Sequence, residues 1–252
     1  MTTSSSRRRR QLGQHMLVDE KVLAKIISAA DINRNEIVCE AGTGLGALTG
    51  ELCKHAAKVI SFEVDRALFA AARENKLLLS HYDNLSLVLG DPFKRQDLAF
   101  DVFMSNLPYS RSRDAMEWLA TQRFDRAVVM LQKEFAEKLS AAPGDKDYRA
   151  ISALAGHCFR IAEVTTVGKE SFSPQPSVDS VVLKIIPVNK VRKETVKILN
   201  LLFSSRNKKA ATVAARAGVS GYGNDKRIDQ LSPADLVELA VRIGNNNGVR
   251  AV

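Results

Sequence analysis

The sequence predicts a doubly wound, mostly parallel α/β sheet, and three observations support this prediction. Short apolar runs of strand length recur between residues 36 and 131, segments with helical periodicity separate them, and a glycine-rich turn follows the first run. Strands that alternate with helices require crossover connections, which place the strands parallel in one sheet. The glycine-rich turn then stands where such a sheet binds ligands.

The individual elements follow from the same patterns. The predicted strands are residues 36–41, 58–63, 85–89, 100–105 and 127–131. The predicted helices are residues 18–30, 45–55, 66–79 and 132–140. Residues 158–167 and 180–186 are β-rich and flank a proline-containing loop, which predicts a hairpin at the sheet edge.

Composition predicts three parts and excludes several classes of protein. Residues 1–10 are a basic tail predicted to be disordered, residues 11–186 the α/β domain, and residues 187–252 a small basic helical domain that begins at Pro187. No run approaches the roughly 20 apolar residues of a membrane span. Cys39, Cys53 and Cys158 have no metal-ligand spacing, so we expect reduced thiols, no metal site and a cytoplasmic location.

The net charge of +9 is concentrated at the two ends. Residues 1–30 hold six basic and two acidic residues, and residues 187–252 hold twelve and five, whereas the stretch between them is nearly neutral. This distribution suits a catalytic core flanked by surfaces that bind a polyanion. The alternative for Arg7, Arg8, Arg9 and Arg10 is a solvated tail.

A cofactor site is indicated at the ends of the first three predicted strands. Gly42 and Gly44 stand at a strand-to-helix turn, where backbone amides can approach a ligand. Glu63 follows 21 residues after Gly42, where an acid accepts hydrogen bonds from ribose hydroxyls, and Asp91 could meet an adenine amino group. Through Ala47 the turn also satisfies the looser pattern of nicotinamide enzymes, and glycines can simply shape a turn.

The segment Asn106, Leu107, Pro108 and Tyr109 after the fourth strand separates these possibilities. The exocyclic nitrogen of adenine is a poor nucleophile because its lone pair is delocalised into the ring. An asparagine oxygen and the Leu107 carbonyl, aimed with the help of Pro108, would favour the pyramidal geometry needed for methyl transfer. Tyr109 offers a face for stacking an extruded base. The alternative is a plain turn that ends a strand.

These motifs resemble the small-subunit ribosomal RNA adenine N6,N6-dimethyltransferases, a family that includes the antibiotic-resistance methylases of large-subunit RNA. The resemblance rests on residues 12–17, 40–46, 62–65, 90–91, 106–109, 132–137 and 172–180. Residues 141–148 are most similar to archaeal or eukaryotic members.

The resemblance implies a Rossmann-like class I methyltransferase fold, S-adenosylmethionine as cofactor, and N6,N6-dimethylation of adenosines in small-subunit rRNA during ribosome assembly. The residues it implies for the cofactor are Gln14, His15, Leu17, Gly42, Gly44, Glu63, Val64, Asp91 and Asn106. It implies that Asn106, Leu107, Pro108 and Tyr109 hold the target base, with Phe172 packing on the other side of that base. Phe172 could instead be a core residue beneath a proline-rich loop.

Three features depart from the family pattern. Met16 replaces the usual phenylalanine of the family, and Arg111 stands where the family usually has isoleucine. A charge at this position could meet RNA phosphate or alter the pocket wall. The C-terminal segment is short, although Arg206, Lys208 and Lys209 resemble the family's basic, RNA-contacting segment.

We therefore expect a monomeric enzyme whose partner is ribosomal RNA within the immature small subunit. Three alternatives remain at this point. They are adenine methylation of large-subunit rRNA, an NAD-dependent oxidoreductase, and a non-catalytic assembly or transcription factor on a methyltransferase scaffold.

Overall fold

The computed structural model describes residues 15–75, 81–96, 98–106 and 108–249, with side chains up to residue 246. The chain divides into two compact units. Within the described residues, the first, called the sheet unit, comprises Met1–Ala115, Gln122–Lys133 and Ile161–Pro187. The second, called the helical unit, comprises Met116–Thr121, Glu134–Arg160 and Val188–Val252. The domain boundary at residue 187 stays a prediction, since residues 134–160 also belong to the helical unit.

The sheet unit contains a seven-stranded sheet and a separate two-stranded ribbon within the described residues. The large sheet contains β2 (Ile37–Ala41), β3 (Lys58–Glu63), β4 (Leu85–Leu89), β5 (Val102–Asn106), β6 (Arg126–Gln132), β7 (Phe159–Val167) and β9 (Ser180–Pro187). The ribbon pairs β1 (Met16–Leu17) with β8 (Phe172–Ser173).

The strand order β4-β3-β2-β5-β6-β9-β7 confirms the predicted fold class. The strands from β4 to β6 are parallel, and β9 pairs with β6 in the antiparallel direction. The two β-rich segments predicted at the sheet edge are neighbours there. The strand order reverses between β2 and β5, and ligands of open α/β sheets bind at such a switch point, outside the carboxyl ends of the strands.

The central strands form where the sequence has continuous apolar runs. Val38, Phe103, Met104 and Val129 are buried on β2, β5 and β6. Strands of a parallel sheet are covered on both faces, so their side chains are apolar without alternation. This burial explains why four of the five predicted central strands coincide with observed strands to within one residue, and why the fifth, predicted from residue 100, begins only at Val102.

Three helices connect the first strands, and acidic residues cap two of them. These helices are α1 (Glu20–Ala30), α2 (Ala47–His55) and α3 (Arg66–Glu74). Asp19 Oδ1 accepts hydrogen bonds from the first amides of α1, and Asp65 does the same for α3. The predicted extension of α3 to residue 79 runs through residues 76–80, which lie outside the described residues.

The remaining helices are α4 (Ser112–Leu119), α5 (Lys133–Leu139), α6 (Ala150–Cys158), α7 (Lys193–Phe203), α8 (Ala210–Arg216) and α9 (Pro233–Val249). In the helical unit, α6, α7 and α9 pack against one another. Tyr148 is fully buried there, donates to the Leu231 carbonyl at 3.1 Å and contacts the Phe203 ring edge-on. Across the described residues, none of the helices combines the length and the apolar character that a bilayer span requires.

Candidate active site

The turn after β2 depends on glycine because its backbone is left-handed at three positions. Gly42, Gly44 and Gly46 have φ values of 93°, 57° and 89°. Residues with a Cβ rarely adopt positive φ values, whereas glycine adopts them at no steric cost. The amides of Gly42 and Thr43 donate to the Phe62 carbonyl at 2.8 and 3.2 Å, so the turn is fastened to the end of β3.

Glu63, the last residue of β3, is held in one orientation by the backbone. Its Oε2 accepts from the Gly44 amide at 3.0 Å, and its Oε1 accepts from the Asp65 amide at 2.9 Å. Each carboxylate oxygen can accept a second hydrogen bond, so Glu63 retains capacity for a ligand. Val64 beside it is exposed, which makes this the rim of the site.

Glu40 is a fully buried residue of β2, two positions before Gly42, and the sequence analysis gave it no role. Its Oε2 accepts from Thr49 Oγ1 at 2.7 Å and from Ser61 Oγ at 2.6 Å, while Oε1 has no hydrogen-bond partner among the described residues. Burial raises the pKa of Glu40 to about 7 against the effect of these two hydrogen bonds, and the nearby charge of Glu63 raises it further. An acid at the end of a buried strand was the signal that could have identified it.

Asp91 follows β4 and is bound on both oxygens. Oδ1 accepts from the Phe93 amide at 3.0 Å and caps the short 3-10 helix Pro92–Lys94. Oδ2 accepts from Arg111 Nη2 at 2.8 Å. Arg111 therefore forms part of the pocket wall. This is one of the two alternatives from the sequence analysis, the other being contact with RNA phosphate.

Asn106 and Tyr109 are placed by hydrogen bonds around the end of β5. Ser105 Oγ donates to the Ala41 carbonyl at 2.8 Å, which ties β5 to the end of β2 just before half-buried Asn106. The hydroxyl oxygens of Tyr109 and Ser180 lie 2.7 Å apart. Burial raises the pKa of Tyr109, and the hydrogen bond to Ser180 opposes that rise.

A short N-terminal strand covers this region, which the sequence did not predict. Leu17 pairs with Phe172 across the ribbon, and His15 Nδ1 lies 2.8 Å from the Pro174 carbonyl. The His15 ring stacks on Tyr109 with 5.5 Å between ring centroids. Phe172 is only 3% exposed and belongs to the hydrophobic core of the sheet unit while also lining the cavity, so its packing on a base stays a prediction.

These residues surround one cavity of about 590 Å³ in the sheet unit, a volume typical of small-molecule sites. The predicted residues that line it are His15, Leu17, Gly42, Gly44, Glu63, Val64, Asp91, Asn106, Pro108, Tyr109, Arg111 and Phe172. Gln14, Leu107, Arg7, Arg8, Arg9 and Arg10 lie outside the described residues.

The predicted basic residues of the C-terminal segment are partly paired within the helical unit. Arg206 Nε lies 3.5 Å from Asp229 Oδ2, and Lys209 Nζ lies 3.2 Å from Asp225 Oδ1. Lys208 and Lys209 are exposed, and Arg206 is half-buried. Where side chains are described, no group of three or more histidines, cysteines or acids could hold a metal ion.

The site fits S-adenosylmethionine in size and in hydrogen-bonding chemistry. Within the glycine turn, Gly44 is closely approached by Met16, since a Cβ on Gly44 would lie 3.3 Å from the Met16 methyl group. Glu63 ends β3 and Asp91 follows the adjacent strand β4, and each carboxylate keeps acceptor capacity toward the cavity. The fold, the turn and the Asn106–Tyr109 segment define a class I S-adenosylmethionine-dependent methyltransferase.

Comparison with known proteins specifies the family. The profile of the ribosomal RNA adenine dimethylase family matches residues 5–234, and the chain belongs to this family. It is therefore an S-adenosylmethionine-dependent rRNA adenine dimethyltransferase, and the oxidoreductase alternative is wrong.

Three relatives illustrate the similarity. The chain is 31% identical to a Pyrococcus abyssi protein named "Probable ribosomal RNA small subunit methyltransferase A", over 91% of this chain and 89% of the relative. It is 33% identical to ribosomal RNA small subunit methyltransferase A of Thermotoga neapolitana, over 92% and 90% of the two chains. The crystal structure of a dimethyladenosine transferase from Plasmodium falciparum matches with a TM-score of 0.76 and 29% identity, over 92% of this chain and 98% of that one.

Proposed function

We propose that this enzyme dimethylates the N6 amino group of adenosines in small-subunit rRNA, acting as a monomer on the immature small subunit in the cytoplasm. The observation that carries this proposal is that Asn106 and Tyr109 share one cavity with the glycine turn and Glu63. The names of the relatives in Pyrococcus and Thermotoga support the choice of the small subunit.

In this proposal, the carboxylate of Glu63 accepts hydrogen bonds from the ribose hydroxyls, and Asp91 accepts one from the adenine amino group of the cofactor. Gln14, His15, Leu17, Gly42, Gly44 and Val64 complete the cofactor contacts. When bound, S-adenosylmethionine supplies a methyl group whose carbon is electrophilic because it is attached to a sulfonium. The two acids keep acceptor capacity for these roles, since the backbone and Arg111 use only part of it.

The target base is held by acceptors and by a stacking face. The Asn106 side-chain oxygen and the Leu107 carbonyl accept from the N6 amino group, which localises the nitrogen lone pair for attack. Tyr109 stacks on the base, and its ring is already fixed between Ser180 and His15. No strong general base is required, because the amino proton becomes acidic only after the nitrogen–carbon bond forms and then leaves to water.

RNA binding is assigned to the basic residues of the two chain ends. We expect Lys208 and Lys209, which are exposed, to contact phosphates together with Arg7, Arg8, Arg9 and Arg10. Arg206 is expected to contribute less, since it is half-buried and faces the buried Asp229, whereas the Lys209–Asp225 pair is exposed and easily exchanged for a phosphate.

The test is methyl transfer from labelled S-adenosylmethionine to immature small subunits, mature small subunits and large subunits, followed by mapping of the modified base. We expect dimethyladenosine at one rRNA region of the immature small subunit. Label confined to large subunits would overturn the choice of substrate. Absence of label on every particle, with cofactor binding intact, would favour the non-catalytic assembly factor. Sedimentation at the monomer mass of 27.7 kDa would support a monomer, and a dimer would contradict it.

A further inference from the structure

Arg111 is a charged residue in the wall of the cofactor cavity. It ends the short 3-10 helix Tyr109–Arg111, two residues after the tyrosine proposed to stack on the base. Its side chain is 32% exposed, and it lines the cavity together with Asp91 and Phe93. An apolar side chain there would supply van der Waals contact only, whereas the guanidinium also donates a hydrogen bond to a neighbouring acid.

The guanidinium is held on three sides. Nη2 donates to Asp91 Oδ2 at 2.8 Å, and the guanidinium carbon lies 5.2 Å from the centre of the Phe93 ring. Nε lies 3.0 Å from Asp114 Oδ2, at ion-pair distance but without hydrogen-bond alignment. The side chains of Asp91 and Asp114 are 13% and 54% exposed, so the Asp91 contact is the less screened of the two.

The same contacts restrain Asp91. One oxygen accepts from the Phe93 amide and the other accepts from Arg111, so donors on separate oxygens define the plane of the carboxylate. A carboxylate bound only by Phe93 could rotate about that single hydrogen bond. Each oxygen still has a second acceptor site, so the restrained carboxylate can receive one more donor in a defined direction.

We infer that Arg111 is a positioning residue that orients the Asp91 carboxylate and thereby makes the cofactor site selective for a 6-aminopurine. This inference rests on the proposed role of Asp91 toward the adenine amino group. A purine with a carbonyl at position 6 would direct an acceptor at a carboxylate that cannot turn away, and like partial charges repel. Asp114 also faces the guanidinium, so the charge of Arg111 is shared between two acids and neutralises Asp91 only in part. The main effect of Arg111 is therefore to orient the Asp91 carboxylate.

Two other roles for Arg111 predict different effects of its removal on cofactor binding. If Arg111 competed with the adenine for Asp91, its removal would strengthen cofactor binding. If Arg111 served only as an RNA phosphate contact, its removal would leave the affinity for S-adenosylhomocysteine unchanged in the absence of RNA. Either result would overturn the inference.

The experiment compares the affinities of S-adenosylhomocysteine and S-inosylhomocysteine by calorimetry, without RNA. We expect the wild-type chain to prefer the adenosyl compound, and Arg111→Ile to reduce this preference by about tenfold through weaker binding of the adenosyl compound, the scale of one hydrogen bond to a charged group. Arg111→Lys keeps the positive charge and three N–H donors on one nitrogen but loses the planar guanidinium, so its preference should lie between those of the wild-type chain and Arg111→Ile. An unchanged or larger preference in Arg111→Ile would refute the inference.

Two control variants separate orientation from general damage. Asp114→Asn removes the exposed partner of the guanidinium but leaves its contact with Asp91, so the preference should remain as in the wild-type chain. Arg242→Ile removes an arginine from a surface ion pair with Glu238 that does not line the cavity, and the preference should again be unchanged. A loss of preference in either control would contradict the inference. If the wild-type chain bound neither compound, the proposed function itself would fail, which is a different result from an unchanged preference.

Discussion

The hydroxyl oxygens of Tyr109 and Ser180 lie 2.7 Å apart, and the serine is fully buried. Stacking alone would make the hydroxyl of Tyr109 dispensable. Since a buried hydroxyl that loses its partner costs about 1–3 kcal/mol, the hydrogen bond adds a second function to this tyrosine. It fixes the ring that is expected to carry the target base.

We predict that Tyr109→Phe slows single-turnover methylation by roughly five- to tenfold, the kinetic equivalent of about 1 kcal/mol. Ser180→Ala should slow it by a similar factor, and the double variant should be no slower than either single one, because all three remove the same hydrogen bond. Tyr109→Ala should be the slowest of these variants, since it also removes the ring. Additive losses in the double variant would show that the two hydroxyls act separately.

Asn106→Ala should reduce the methylation rate by about 100-fold or more, because a preorganised acceptor in such a site contributes about 2.7–4 kcal/mol to the transition state. RNA affinity should change little, since phosphate contacts dominate it. The measurement is single-turnover methylation with RNA binding determined in parallel. Asn189→Ala, which removes an exposed side-chain hydrogen bond in the helical unit, is the control and should be neutral. A near-normal rate for Asn106→Ala would remove it from the mechanism.

Glu63→Ala should weaken S-adenosylmethionine binding by roughly 10- to 150-fold, the loss of about 1.5–3 kcal/mol expected for hydrogen bonds to a charged acceptor. The Gly44 and Asp65 amides lose their acceptor as well, so a moderate fall in melting temperature is also expected. Calorimetry and thermal unfolding measure the two effects. Glu74→Ala, at the exposed end of α3, should change neither, and unchanged affinity in Glu63→Ala would exclude its proposed role.

Glu40 should make the stability of the cofactor-free protein depend on pH. Its pKa of about 7 in the folded protein is above its ordinary value of 4.5, so the folded state keeps a proton that the unfolded chain releases in this interval. Stability therefore falls as pH rises from about 4.5 to about 7 and then stays at the lower level. Between pH 5 and pH 8, we expect the free energy of unfolding to fall by roughly 2–3 kcal/mol more in the wild-type chain than in Glu40→Gln, because the glutamine side chain does not titrate.

Urea unfolding at the two pH values measures this difference. Glutamine can still accept from Thr49 and Ser61, so the variant isolates the titration from the loss of the hydrogen bonds. Parallel pH profiles for the two proteins would contradict the assignment to Glu40.

Replacing Lys208 and Lys209 with alanine should flatten the salt dependence of RNA binding. Each lost phosphate contact lowers the slope of the log–log plot by about 0.7–0.9. Lys58→Ala, at the exposed start of β3, is the control and should leave the slope unchanged. An unchanged slope in the Lys208 and Lys209 variant would mean that these side chains are solvated and do not contact RNA. The same test applied to Arg7, Arg8, Arg9 and Arg10 would decide between an RNA contact and a solvated tail.

Some elements were not predictable because their signals are not local. The α6 helix is buried almost all round, so Ile151 and Leu154 do not stand out against a polar face in the sequence. The two-residue strand β1 exists only because Leu17 meets Phe172, far along the chain. The predicted helix of residues 18–30 begins two residues later, since Asp19 caps it.

The sequence by itself predicted the fold class, because buried strands and the glycine turn are local patterns. The family and the cofactor followed from the resemblance carried by the glycine turn, the Asn106–Tyr109 segment and the other matching motifs. The sequence also allowed Gly42, Glu63, Asp91 and Asn106 to be grouped, since the carboxyl ends of neighbouring parallel strands meet at one edge. Their individual roles stay predictions.

Only the tertiary structure decided which side chains restrain these groups. Tyr109 and Ser180 are 71 residues apart, and Asp91 and Arg111 are 20 residues apart, yet each pair forms one hydrogen bond. Side-chain hydrogen bonds between distant segments have no periodicity and no fixed spacing, because they depend on where the backbone brings two polar atoms within about 3 Å. The Glu40 oxygen that lacks a partner among the described residues arises in the same way, from burial that the completed sheet imposes.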